Sequence, residues 1–177
     1  PSPYDYYNSN GVLIWKGTGF PTNVNCDHLA VTYRDLKIPV CGSSFKIFRN
    51  WKIFDWCSGR YIECNQLIKV EDTKAPVISC SENYIVFPMD YYSCSGTAVV
   101  NGPTNIFDCS STTLAVSYKK AGPDGTPEDG DFRTEGVTYL ANGKVRISGL
   151  PADTSWVRYT VTDACGNSTK CTVEVII

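Results

Sequence analysis

Nine cysteines, a lone histidine and one loop of carboxylates are the residues of this chain that could do chemistry. Thiolates bind zinc or act as nucleophiles, but the spacing fits neither use. Zinc knuckles need Cys-x-x-Cys pairs, or cysteines joined by histidines. No Cys-x-x-Cys occurs, and His28 is the only histidine. A Cys-His or Ser-His-Asp site would need His28 beside a nucleophile and an orienting acid. Cys26 stands two residues away, yet a matching stretch later in the chain, Cys109-Ser-Ser-Thr-Thr, carries no histidine. No catalytic residue and no cofactor is assigned, and the chain reads as a non-enzyme. Disulfides in an oxidising compartment account for so many cysteines. The odd count leaves at least one cysteine free, or bonded outside this stretch of chain.

The carboxylates gather in residues 121–134, AGPDGTPEDGDFRT, as Asp124, Glu128, Asp129 and Asp131. Calcium, a hard cation, seeks several such oxygens. The spacing misses the calcium loop of the EF-hand, and a solvated, exposed loop is the favoured reading. Asp72 and Asp163 could lie near a calcium between modules. Aspartates in such turns more often bind their own backbone. No metal is assigned.

The totals narrow the class further. The net charge of −2 argues against nucleic-acid binding, which needs a basic face to neutralise phosphate. No apolar run approaches the roughly 20 residues that cross a bilayer, so membrane insertion is not expected. Apolar residues are 42% of the chain, enough for a core. The start, PSPYDYYNSN, reads as an excerpt or a processed product.

Short runs of alternating β-branched and aromatic residues position these groups. Strands are predicted at residues 12–15, 29–33, 45–54, 61–70, 77–80, 95–100, 114–118, 156–161 and 172–177. In the third, Phe45, Ile47, Arg49, Trp51 and Ile53 share one face. Pro39 breaks the pattern and keeps its segment off a central ladder. Residues 101–109 read as a loop, and Asn142-Gly143 as a hairpin turn. No sustained helical period occurs. Trp15, Trp51, Tyr118, Tyr139 and Trp156 fall on strands and are assigned to the core. Tyr4, Tyr6, Tyr7, Tyr91 and Tyr92 fall in turns.

The chain repeats itself. Asn50 to Val70 echoes Trp156 to Ile177, with Asp55 matching Asp163, Cys57 matching Cys165 and Cys64 matching Cys171. Upstream, Pro21 to Tyr33 echoes Pro103 to Tyr118, which matches Cys26 with Cys109. The spacing from Tyr33 to Asp55 is 22 residues and from Tyr118 to Asp163 is 45. The polar stretch Glu71 to Pro76 divides the copies. The expected architecture is all-β: tandem immunoglobulin-like β-sandwiches, disulfide-stabilised. Module one spans residues 1–73, with its first strand cut away or diverged, and module two spans 74–177.

Asp72-Thr73-x-x-Pro76-x-Ile78-x-Cys80, Asp108-Cys109 and the run Val161-Thr162-Asp163-Ala164-Cys165-Gly166-Asn167-Ser168-x-x-Cys171 resemble hyalin-repeat (HYR-like) immunoglobulin-fold modules. The likeness is to tandem copies in giant surface proteins of Bacteroidota, including gliding-motility adhesins exported by type IX secretion. It covers most of module two and the last third of module one. Module one departs from it, with Trp56 for Ala and Ser58-Gly59-Arg60 for Gly-Asn-Ser. The resemblance implies an extracellular, cell-surface protein with a structural or attachment role, and supplies no catalytic residue. Its partners would be neighbouring modules, other copies in a fibre, and a target surface or glycan. Direct binding of glycan or protein through the loops of module two is the alternative.

Within such sandwiches two disulfide schemes stay open. The favoured one joins Cys26–Cys57, Cys109–Cys165 and Cys80–Cys171, with Cys94 among the cysteines left unpaired. The rival joins Cys57–Cys64, Cys165–Cys171, Cys26–Cys41 and Cys80–Cys94. Either stabilises each small module by about 2–4 kcal/mol. Packing between neighbouring modules is the expected use of the exposed aromatics, with an assembly interface or a sugar site behind it.

Overall fold

A computed structural model describes residues 2–7, 9–11, 13–21, 28–80, 84–120 and 132–177. Among them the regular structure is all strand, apart from one 3-10 turn at Ala141–Gly143. The fold is all-β, as expected, and no helix among the described residues is long and apolar enough to cross a membrane. The chain divides into two compact units. One holds Pro1–Val40 and Ser44–Glu71; the other holds Cys41–Ser43 and Asp72–Ile177.

The first unit contains a short ribbon, β1 (Tyr6–Tyr7) with β2 (Leu13–Trp15), and a three-stranded sheet. The sheet is an antiparallel meander of β3 (Leu29–Pro39), β4 (Phe45–Asp55) and β5 (Tyr61–Val70). β3 runs on through Pro39, beyond the predicted Tyr33. Pro39 is tolerated because β3 is an edge strand among the described residues and Pro39 is its last residue. The alternation predicted for β4 is realised: Ile47, Arg49 and Trp51 are buried. Successive side chains of a strand face opposite ways, so Phe48 and Lys52 point to the other face and are exposed.

The inner face closes around a charge. Arg49, fully buried, donates to both Asp35 oxygens at 2.7 and 2.8 Å and to the Thr18 hydroxyl at 2.8 Å. Its guanidinium lies 4.2 Å from the Tyr33 ring centroid, and Trp51 packs against Tyr33 and Phe20. Gln66 accepts from the Trp51 indole at 3.1 Å and donates to the Thr18 carbonyl at 2.5 Å. The polar groups carried inward with Trp51 thus find partners, which is the condition for burying them.

The second unit contains β6 (Val77–Ser79), β7 (Tyr84–Val86), β8 (Ser95–Asn101), β9 (Thr104–Phe107), β10 (Thr112–Lys120), β11 (Val137–Tyr139), β12 (Lys144–Pro151), β13 (Thr154–Asp163) and β14 (Ser168–Ile176). One sheet has the order β10-β13-β14-β7 and another β11-β12-β8, with β6-β9 a separate pair. The core lies between the two larger sheets. Ala98, Val100, Val145, Ile147 and Leu150 come from one side; Val116, Val157, Tyr159, Val173 and Val175 come from the other. A bulge between Ile147 and Leu150 shifts the alternation by one residue, so Leu150 still faces inward. Gly149, at φ +77°, occupies the conformation this bulge needs. Tyr159 donates its hydroxyl to the Asn101 carbonyl at 2.9 Å, which lets a phenol sit in the core.

Several sequence assignments change here. β7 lies in a stretch without a predicted strand, β9 in the predicted 101–109 loop, and β11 and β12 on either side of the Asn142-Gly143 turn, where no strand bounds were assigned. Tyr139 is exposed rather than core; its phenol oxygen accepts from the Val116 backbone at 3.0 Å. Tyr6 and Tyr7 form β1 rather than a turn. Asn142-Gly143 does turn the β11–β12 hairpin, with φ of +62° and +72°.

The Arg49–Asp35 pair, buried on its arginine side and open to solvent at Asp35, makes a test. Asp35→Asn strands the Arg49 guanidinium without a countercharge and is expected to cost about 1–3 kcal/mol in urea unfolding. Hydrogen bonding to Arg49 holds the Asp35 carboxyl below its ordinary value near pH 4. The folded value is depressed, so this stabilisation is complete above about pH 4 and is lost as pH falls through the folded value. Parallel melts at neutral and acid pH should show that acid sensitivity in the native chain and its reduction in Asp35→Asn.

Candidate functional site

Cys41, Cys109 and Cys165 meet Asp72, Asp108 and Asp163 at one pole of the second unit. There β13 ends at Asp163 and the chain reverses through residues 164–167 into β14. Asp163 is buried, and its carboxylate organises the turn. One oxygen accepts from the backbone of Cys165 and of Asn167, each at 2.8 Å; the other accepts from the Asn167 side chain at 2.7 Å. The same Asn167 amide donates to the Asp72 carbonyl at 3.0 Å, and Thr169 donates to the Pro76 carbonyl at 2.5 Å. Burial works against the charge on Asp163, but the Asn167 and backbone donors outweigh it and hold the carboxyl below its usual range.

The echoed turn in the first unit is built alike. Asp55 accepts from the Cys57 backbone at 2.9 Å and from the Ser58 hydroxyl at 2.5 Å. These bonds, that from Ser58 foremost, keep its carboxyl low. Gly59 and Gly166 both adopt positive φ, +68° and +91°, where a side chain would strain the turn. The aspartates therefore do what short carboxylates do in turns, which is to satisfy local N–H groups. Asp163 has both oxygens hydrogen-bonded within its own turn.

Two disulfides form among the described residues. Cys80–Cys171 bridges Cα atoms 6.2 Å apart, in agreement with the favoured scheme. Cys165 bonds to Cys41, Cα to Cα 5.0 Å, and not to the predicted Cys109. The reason is local geometry. Cys41–Ser43 lies against the 108–110 and 164–165 segments: Ser43 donates to the Cys109 carbonyl at 2.7 Å, and a Cβ on Gly42 would meet Ser110 and Ala164. Cys109 instead turns its thiol to Asp72, 3.0 Å away, and that carboxylate pushes the thiol upward, keeping it protonated. Cys57, Cys64, Cys94 and Cys109 are unbridged and exposed. The rival pairings Cys57–Cys64, Cys165–Cys171 and Cys80–Cys94 are therefore also absent. Cys26 lies outside the described residues, as do Asp124, Glu128, Asp129 and Asp131 of the acidic loop. His28 is exposed; its carbonyl accepts from the Trp56 backbone at 3.0 Å.

Potential ligand atoms of Asp72, Asp108 and Cys109 fall within 4.8 Å of one another. Asp108 already accepts from the Ser110 backbone and hydroxyl, each at 2.8 Å, while Asp72 receives the Cys109 thiol. In this structure the group forms a hydrogen-bonded turn in which the Cys109 thiol donates to Asp72. The partner that sequence reasoning misses is Cys41 for Cys165. Its one signal is that Cys41 has no counterpart in the second copy of the repeat.

The pole yields two tests. Cys171→Ser, which opens the Cys80 bridge, is expected to destabilise the second unit by about 2–5 kcal/mol in non-reducing urea unfolding, with one new thiol in a labelling assay. Asp163→Ala should lower the thermal midpoint of that unit, and Asp163→Asn should lower it less, because an amide oxygen still accepts. Since the folded carboxyl is depressed, the gap between native and Asp163→Asn proteins should hold at neutral pH and close as pH falls below the ordinary carboxylate range.

Comparison with known protein families and with curated proteins gives no match. Among solved structures, the chain is similar to human protocadherin-24 EC1-2, Form II, at 12% identity and a TM-score of 0.35, over 88% of this chain and 84% of that one. It is also similar to chicken VE-cadherin EC1-2, at 14% identity and a TM-score of 0.28, over 89% and 88%. At these scores neither likeness carries an argument about function.

Proposed function

We propose that the chain is a pair of repeat modules from a long extracellular bacterial surface filament or adhesin, serving attachment rather than catalysis. One observation carries the reading. The two halves echo each other in sequence, and the echoed turns at Asp55 and Asp163 share a construction: each carboxylate caps the backbone two residues on, and a glycine at positive φ follows, Gly59 four residues after Asp55 and Gly166 three residues after Asp163. Duplicated small β-modules are the material of arrays, in which each copy contributes length and surface. Two disulfides support an oxidising location outside the cytoplasm. The HYR-like residues of the 161–171 run support the bacterial surface assignment. The partners in this reading are neighbouring modules, other copies in a fibre and a target surface.

Electron microscopy of the native product tests it. The expected outcome is an extended filament or a long parent chain bearing these modules, labelled at the cell surface by antibody against residues 1–177. Isolated compact monomers inside the cell would sink the proposal.

A further inference from the structure

The sheet of the first unit has a second face that neither the buried pair nor the disulfides use. Strand register defines it: Thr32, Arg34, Leu36 and Ile38 of β3, Lys46, Phe48, Asn50, Lys52 and Phe54 of β4, and Tyr61, Glu63, Asn65, Leu67 and Lys69 of β5 point away from Trp51. We propose that this face binds an acidic polysaccharide, a polymer rich in uronate.

Charge makes the first argument. Within the strands, this face carries Arg34, Lys46, Lys52 and Lys69 against the single carboxylate of Glu63, in a chain of net charge −2. Glu63 is matched by Lys52 at 3.6 Å, and Arg34, Lys46 and Lys69 have no ion pair among the described residues. An uncompensated cationic field on an acidic protein selects an anionic ligand.

Shape and hydrogen bonding narrow the class. Thr32, Arg34, Asn50, Lys52 and Glu63 line a cavity of 360 Å³ together with Tyr33. Across it runs a polar rung, Arg34↔Asn50↔Asn65, in which the Asn50 amide donates to Asn65 at 2.9 Å. Amides and a threonine hydroxyl both give and take hydrogen bonds, as sugar hydroxyls do, and a guanidinium meets a carboxylate with two parallel bonds. Exposed rings flank the rung. Phe48 lies one rung away on one side, 43% exposed. On the other side Tyr61 and Trp56 are 57% and 70% exposed, with Phe54 in edge contact with Trp56 at 5.1 Å and Lys52 held 3.9 Å over the Tyr61 ring. Flat apolar rings beside amphoteric polar groups suit the apolar faces and hydroxyl edges of pyranose rings. A folded acidic protein would instead bring a rigid surface of its own, and nucleic acid would need a larger positive field. The inference deepens the attachment reading, on which it rests, by naming what the modules hold.

The whole chain is titrated calorimetrically with polygalacturonate, with dextran, duplex DNA and polyglutamate as comparisons, at low and high salt. Polygalacturonate is expected to bind at low salt and weaken at high salt, and dextran to leave no signal. Arg34→Ala and Trp56→Ala should each weaken binding about tenfold with unchanged circular dichroism and melting, the scale of a lost contact at such a site. Lys170→Ala, on β14 of the other unit, should bind as the native chain does. The proposal is overturned if polygalacturonate does not bind, if Arg34→Ala and Trp56→Ala bind normally, or if DNA or polyglutamate binds as tightly with the same variant dependence. Polysaccharide binding by a chain that forms no surface filament would overturn the filament reading alone. A surface filament without polysaccharide binding would overturn this inference alone.

Discussion

The second unit depends on one constraint: two sheets must present apolar residues to each other at every second position. β13 meets it along its whole length, alternating Ser155, Val157, Tyr159, Val161 and Asp163 inward. Other features of the unit are consequences of that alternation. It carries the Asp163 carboxylate to the end of the core, where the N–H groups of its own turn keep it charged. It sets Cys171 on β14 beside Cys80, and it forces a bulge at Gly149 when β12 would otherwise turn Leu150 outward. Burial of apolar surface supplies the driving force, and the polar atoms of Tyr159 and Asp163 are hydrogen-bonded so as not to oppose it.

The first unit meets the same need with less material. Its three strands make one sheet, and the chain between Ser2 and Phe20 supplies the cover for the inner face through Thr18, Phe20 and Tyr4. A buried guanidinium stands where an aliphatic side chain would be ordinary. It is accommodated because a carboxylate, a hydroxyl and an aromatic face surround it. The other face presents amides, cations and rings together with the exposed Leu36, Ile38 and Leu67.

Much of this is legible in the sequence, for physical reasons. The long strands β4, β13 and β14 carry enough alternations to declare their faces. The Asp turns and the Asn142-Gly143 reversal announce themselves by residue type, because few residues accept their backbone angles. Short strands such as β7 and β11, each of three residues, hold too few alternations to stand out from loop. Tyr139 misleads because its ring and its hydroxyl point to different environments, and sequence shows only that both exist. The Cys41 pairing is hidden because a disulfide records proximity across 124 residues, and no local pattern encodes that. The outer face of the first sheet is equally hidden, since its residues are dispersed over three strands and meet only through register.

One bond has a mechanical meaning. Cys80 stands near the start of the second unit and Cys171 near its end, with a sequence separation of 91. A pull applied to residues 72 and 177 would travel through the sulfur bridge and bypass the sandwich. The enclosed segment, which would otherwise release roughly 300 Å when extended, is locked away from tension. Such a module lengthens only by its few outlying residues, so an array of them behaves as an inextensible tether as long as the bridges stay oxidised.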